Sequence, residues 1–179
     1  MPNWCNVDVT FNHSNTEMLD RIRNAVSNKT GVLAEFIPVP AILKQDSATV
    51  EERVAECGYS DWHQFCTTNW GTKWDLCEPV LSVNDNGSIT ISCETAWAPP
   101  IDAFDAMVQM GFDILAYYYE PGMQFAGIYT TDTHDEYDSW GDADGADQVL
   151  PAELNNFFEI AINQRECEAE EREYNAQFN

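Results

Sequence analysis

The pair Asn86-Gly87 stands between two runs in which apolar and polar residues alternate, "PVLSV" and "SITISCETAW". Both residues tolerate φ > 0, which a tight hairpin requires, and strict alternation is the period of a strand with one buried face. An antiparallel pair in mid-chain follows. The other segments order themselves around it. "WCNVDVTFNH" alternates over about residues 4–12, with Val7, Val9 and Phe11 opposite Asp8 and Thr10. Ser14 and Glu17 have the spacing of a capping box, and Met18, Leu19, Ile22 and Val26 recur at helical spacing before Gly31. After the hairpin, Pro99-Pro100 is pre-set for a helix start, and Ile101, Phe104, Met107 and Val108 make one apolar face that Gly111 ends. "FDILAYYYEPGMQFAGIYTT" is a second hairpin, with Pro121-Gly122 suited to the middle of a type II turn.

Strand, helix, hairpin, helix and hairpin make an α+β chain. The expected fold is ferredoxin-like, a split βαβ with an extra C-terminal strand, a curved antiparallel sheet and two helices on one face. Residues 32–78 form a long insertion between the first helix and the second strand, extended at "FIPVP" and helical near Thr49–Glu52 and Ser60–Cys66. Residues 1–131 would make this domain. Residues 132–179 would pack on it as an acidic loop and an acidic helix over about Pro151–Tyr174, whose Leu154, Phe157, Phe158, Ala161 and Ile162 share one side.

Charge is the unusual feature of the composition. The chain carries 31 acidic and 8 basic residues, a net −23. Residues 1–100 hold 13 acids and 6 bases (−7), and residues 101–179 hold 18 acids and 2 bases (−16). Self-repulsion of this size destabilises a compact state, yet 44% of the residues are apolar, too many for a disordered acidic chain. Direct binding to nucleic acid or to an anionic membrane is disfavoured, because both recruit Lys and Arg. A basic partner is favoured. No apolar run approaches the ~18 residues of a membrane helix, and "MPNWCNVDV" lacks the features of a secretory leader. A cytoplasmic location is expected, with the six cysteines as reduced thiols.

Motifs for catalysis, metals and cofactors are absent. No C-x-x-C, P-loop, G-x-S-x-G or G-x-G-x-x-G occurs, and the three histidines stand apart. "DSWGDADGAD" is EF-hand-like only until Gly145 is aligned with the invariant glycine, which puts Trp140 first and Pro151 last among the ligand positions. No enzyme, cofactor or metal site is expected. In "NWGTKWD", Lys73 could lie over the ring of Trp70 or Trp74 with Asp75 neutralising it. The tryptophans either close the sheet face that the helices leave bare, or form a ligand or partner pocket.

"MPNWCN", "FIPVP", "NWGTKWD", "TAWAPP" and "YYYEPGMQFAG" occur here in the order found in the YubB ferredoxin-like family of phage and conjugative-plasmid proteins, which residues 1–131 resemble. The resemblance implies a ferredoxin-like fold and a mobile genetic element, and it brings no catalytic residues. It marks Trp4, Trp70, Gly71, Lys73, Trp74, Trp97, Glu120 and Gly122 as motif positions. The acidic segment after Thr131 looks additional to the family.

The acidic segment suggests the function. A duplex carries one charge per ~1.7 Å, so 23 charges match about 39 Å of duplex, close to the diameter of about 40 Å expected for a domain of this size. The expected role is a nucleic-acid mimic that occupies the groove of a basic, nucleic-acid-binding host defence protein, a restriction or CRISPR effector. Its contact residues would be Asp132, Asp135, Glu136, Asp138, Asp142, Asp144 and Asp147, with Glu166, Glu170 and Glu173 as a stripe on the last helix. Two alternatives stand beside it: a small-ligand or peptide-binding module built on Trp70, Lys73, Trp74, Trp97 and Glu120, and a halophile-like solvated surface.

Overall fold

The computed structural model describes residues 3–177. Met1 and Pro2 of the "MPNWCN" motif, and Phe178 and Asn179 of the acidic segment, lie outside the described residues. The elements follow one another as β1 (Trp4–Asn12), α1 (Thr16–Asn28), α2 (Val32–Phe36), a 3-10 turn (Ala41–Lys44), α3 (Val50–Cys57), α4 (Trp62–Asn69), β2 (Cys77–Val83) and β3 (Ile89–Ala96). Then come α5 (Ile101–Gln109), β4 (Asp113–Glu120), β5 (Phe125–Thr130), β6 (His134–Asp138), α6 (Ala143–Val149), α7 (Ala152–Phe158) and α8 (Ile160–Gln177). The sheet order is β2-β3-β1-β4-β5-β6, antiparallel throughout. Its first four strands, with α1 and α5, are the ferredoxin-like split βαβ, and β5 and β6 extend it beyond β4.

Alternation along β1 puts Cys5, Val7, Val9 and Phe11 into the main core, where each large apolar side chain contributes about 1.5–3 kcal/mol. Phe104 of α5 and Phe112 meet Phe11 edge-on at 6.2 and 6.1 Å. Leu19, Ile22 and Ala25 bring α1 onto the same face. The cap of α1 is Asn15, whose side chain accepts from the Glu17 N–H, so the expected Ser14 box is displaced by one residue. The chain then turns at Lys29 (φ 56), which closes the carbonyls of Ala25 and Val26. The β2–β3 hairpin closes at Gly87 (φ 85).

Three sequence expectations are corrected. Residues 132–149 are not one solvated loop, because β6 pairs with β5 from Tyr129↔His134 to Phe125↔Asp138 and α6 follows. The last helix is broken at Glu159 (φ 52) into α7 and α8. Buried Asn155 holds the break, its side chain accepting from the Ala161 N–H at 2.9 Å and donating to Asp147 at 2.9 Å. Because of the break, Leu154 and Ala161 are buried, whereas Phe157 and Ile162 are about half exposed (48% and 51%). The Pro121-Gly122 turn places Gln124, not Gly122, at positive φ; Gly122 is needed for close approach, since a Cβ there would lie 2.7 Å from the Asn3 amide.

On the second sheet face, Phe157 and Phe158 of α7 border a hollow over β1 and β3, and the C-terminal helices pack over β4 and β5. Trp140, Ala146, Leu150, Leu154 and Ile160 pack there on Ala126, Tyr117, Tyr119 and Ile128, and Tyr117 stacks on Phe157 at 5.2 Å. Over β1 and β3 the same face is a polar ladder, with Thr10 bonded to Thr90 at 2.8 Å and Ser92 to Asp8 at 2.5 Å. Trp70 of "NWGTKWD" therefore does not seal that face, since it lies in the main core on the helix side. No helix among the described residues is long and apolar enough to cross a membrane.

Candidate functional site

The ten carboxylates expected to meet a partner divide by what their side chains do. On β6, His134 and Glu136 turn to the same face. The Tyr118 hydroxyl lies 2.7 Å from His134 Nε2 and 3.0 Å from Glu136 Oε2. Tyr118 reaches them by crossing Gly127, where a Cβ would stand 2.2 Å from its hydroxyl. Burial first, and then the Glu136 charge, push the Tyr118 phenol above its ordinary range, so it stays a neutral donor. In α6, Asp142 is the N-cap, accepting from the Gly145 N–H at 2.9 Å. Asp144 and Asp147 both pair with Arg165, and the hydrogen bond from Arg165 holds the Asp147 carboxyl below its ordinary value. These four acids organise the C-terminal elements.

The other six are Asp132, Asp135, Asp138, Glu166, Glu170 and Glu173. All are exposed. Asp132 leads into β6, Asp135 and Asp138 are on this edge strand, and the three glutamates lie on α8 at i, i+4 and i+7. Edge strand and helix are joined through α6, which packs on α8. Residues 101–179 carry no lysine, and one of their two arginines, Arg165, is occupied by Asp144 and Asp147.

The "NWGTKWD" segment does different work. Trp70 is buried and donates its indole N–H to the Ile37 carbonyl at 3.0 Å. Gly71 (φ 81) lets the chain approach the start of α5, where a Cβ would meet Asp102 Oδ2 at 3.0 Å. Asp75 does not neutralise Lys73 by an ion pair; its carboxylate accepts from the N–H groups of Leu33, Ala34 and Leu76 at 3.1, 2.8 and 2.9 Å, so it caps α2 from another segment. Lys73 lies over the Trp74 ring at 4.7 Å, and Trp74 meets Trp4 at 6.0 Å. Trp97 is 52% exposed at φ 72. Glu120 is buried and structural, accepting from the Gly122 and Met123 N–H groups at 2.8 and 2.7 Å.

A pocket at Trp70, Lys73 and Trp74 was one of the two sequence readings of this segment; the larger hollow beside it had no such signal. A hollow of about 760 Å³ lies between α1, α2 and the start of β2. It adjoins a smaller apolar one of about 280 Å³ beside α4, and the two share Val39, Lys44, Trp70 and Asp75. Cys66 lines the smaller part, and burial pushes its thiol up to about 11, so it is protonated at neutral pH.

A ferredoxin-like sheet prolonged by an acidic edge strand and three helices defines the class of protein. The chain belongs to the family of the ferredoxin-like domain in Api92-like proteins, whose model matches residues 69–175. That match takes in β6 and α6–α8, so the acidic segment is part of the family domain rather than additional to it. A crystal structure of the protein api92 from Yersinia pseudotuberculosis is similar at 18% identity and a TM-score of 0.37, covering 46% of this chain and 32% of that one. The likeness thus spans about a third of that protein's length. No curated protein matches the chain.

Proposed function

We propose that this chain is a non-enzymatic, phage- or plasmid-encoded nucleic-acid mimic that acts in the host cytoplasm by occupying the cationic groove of a nucleic-acid-binding defence protein. The mobile-element origin rests on the YubB-like motifs of the sequence. The observation that carries the function is a set of six exposed carboxylates that form no ion pair among the described residues, Asp132 before the edge strand, Asp135 and Asp138 on its two faces, and Glu166, Glu170 and Glu173 on α8, in a half of the chain with net charge −16. A groove that binds phosphates gains most of its affinity from Lys and Arg contacts, and such contacts accept carboxylates. Asp142, Asp144, Asp147 and Glu136 serve by holding the acidic elements in place.

The test is displacement. Host proteins retained on immobilised duplex DNA are challenged with the protein, and with a variant carrying Asn at 132, 135 and 138 and Gln at 166, 170 and 173. The parent releases a DNA-binding protein and the folded variant does not. Equal release by both, or release by neither, contradicts the proposal.

A further inference from the structure

All three lysines of the chain, Lys29, Lys44 and Lys73, line the cleft described above: Lys29 its larger part, Lys73 its smaller part, and Lys44 both. Among the described residues no lysine forms an ion pair, whereas Arg21, Arg23 and Arg165 are all paired with carboxylates. The carboxylates lining the cleft are Asp75 and Glu78, and Asp75 is committed to three backbone N–H groups. The lining therefore has three positive and two negative groups, a net +1, in a molecule of −23. Low-dielectric walls focus such a field. The walls of the smaller part are Trp62, Trp70 and Trp74, and Trp62 on α4 is 41% exposed. A concave, largely apolar pocket of a few hundred Å³ with a few convergent polar groups is the usual form of a small-molecule site.

We propose that this cleft binds a small organic anion with a flat aromatic ring, the ring among the tryptophans beside Lys73 and the anionic group between Lys44 and Lys29. An aryl carboxylate and a nucleoside monophosphate both carry this chemistry. The site is on a different part of the molecule from the six carboxylates of the proposed mimic surface, so either proposal can fail without the other.

Calorimetric titration of the purified protein in 0.15 M salt, where the Debye length is about 8 Å, tests it with 2-naphthoate and AMP, each against its uncharged counterpart, 2-naphthamide and adenosine. At least one anion is expected to bind about tenfold or more tightly than its counterpart, and which one does identifies the source. Replacing all three lysines by Gln removes that preference, each lysine contributing about two- to fivefold. Lys44→Arg retains the preference, and Trp62→Ala weakens the binding of charged and uncharged forms alike. Should the triple variant lose its fold, the exposed Lys44→Gln alone decides. Neither anion binding better than its counterpart would overturn the proposal, as would an unchanged preference in the folded lysine variants.

Discussion

Single residues already show why the acidic half has a definite shape. Gly127 is at ordinary strand φ, so its role is space: Tyr118 passes over it to reach His134 and Glu136 on the edge strand. Gly127→Ala should therefore destabilise the protein by about 1–3 kcal/mol, the usual cost of overpacking, read as a lower urea midpoint. An unchanged midpoint would mean that Tyr118 is not held there. Titration gives a second prediction. Burial raises the Cys66 thiol from 9.0 to about 11, and the Cys5 thiol from 9.0 to about 12. The folded state holds these protons more tightly than the unfolded chain does. Their stabilisation is therefore complete below pH 9, and it falls as pH rises from 9 towards 11 and 12. Denaturant melts across that range should show falling stability, with a smaller fall in Cys66→Ala; a flat profile would contradict the burial of these thiols.

Among the elements, legibility followed apolar periodicity. The alternating runs of β1, β2, β3 and β4 and the apolar faces of α1 and α5 gave the ferredoxin-like core, and that of β5 gave its first extension. β6 escaped because "HDEYD" has only Tyr137 to bury, and an edge strand needs pairing on one side alone. The α7–α8 break escaped because the spacing of Leu154, Phe157, Phe158, Ala161 and Ile162 suits a continuous helix, while the signal for the break is Asn155 bonded across it. Of the site, the glutamate stripe was legible from its i, i+4, i+7 spacing. Of the lysine cleft, the Trp70, Lys73 and Trp74 wall was legible from "NWGTKWD", whereas Lys29 and Lys44 were not, since they meet it only after folding. The broken helix is testable at Glu159. A residue other than Gly at φ 52 carries a left-handed strain of about 1 kcal/mol, so Glu159→Gly should raise the melting temperature. In an unbroken helix the same change would lower stability by about 1 kcal/mol.

The whole molecule combines an acidic C-terminal half with a cleft that collects every lysine. Repulsion among carboxylates kept for a partner lowers stability, so the six-position neutral variant should melt above the parent in low salt and converge on it as salt rises. A halophile-like surface makes a different demand: its stability would climb steeply with salt in parent and variant alike, because the charges that matter would be spread beyond these six. Whether the six carboxylates stand in for phosphates is read from the salt dependence of DNA displacement from the captured host protein. The parent's apparent affinity should fall steeply and linearly on a log–log plot against salt, and the six-position variant should lose most of both the affinity and the slope. A salt-independent affinity, or equal slopes for the two proteins, would contradict that role.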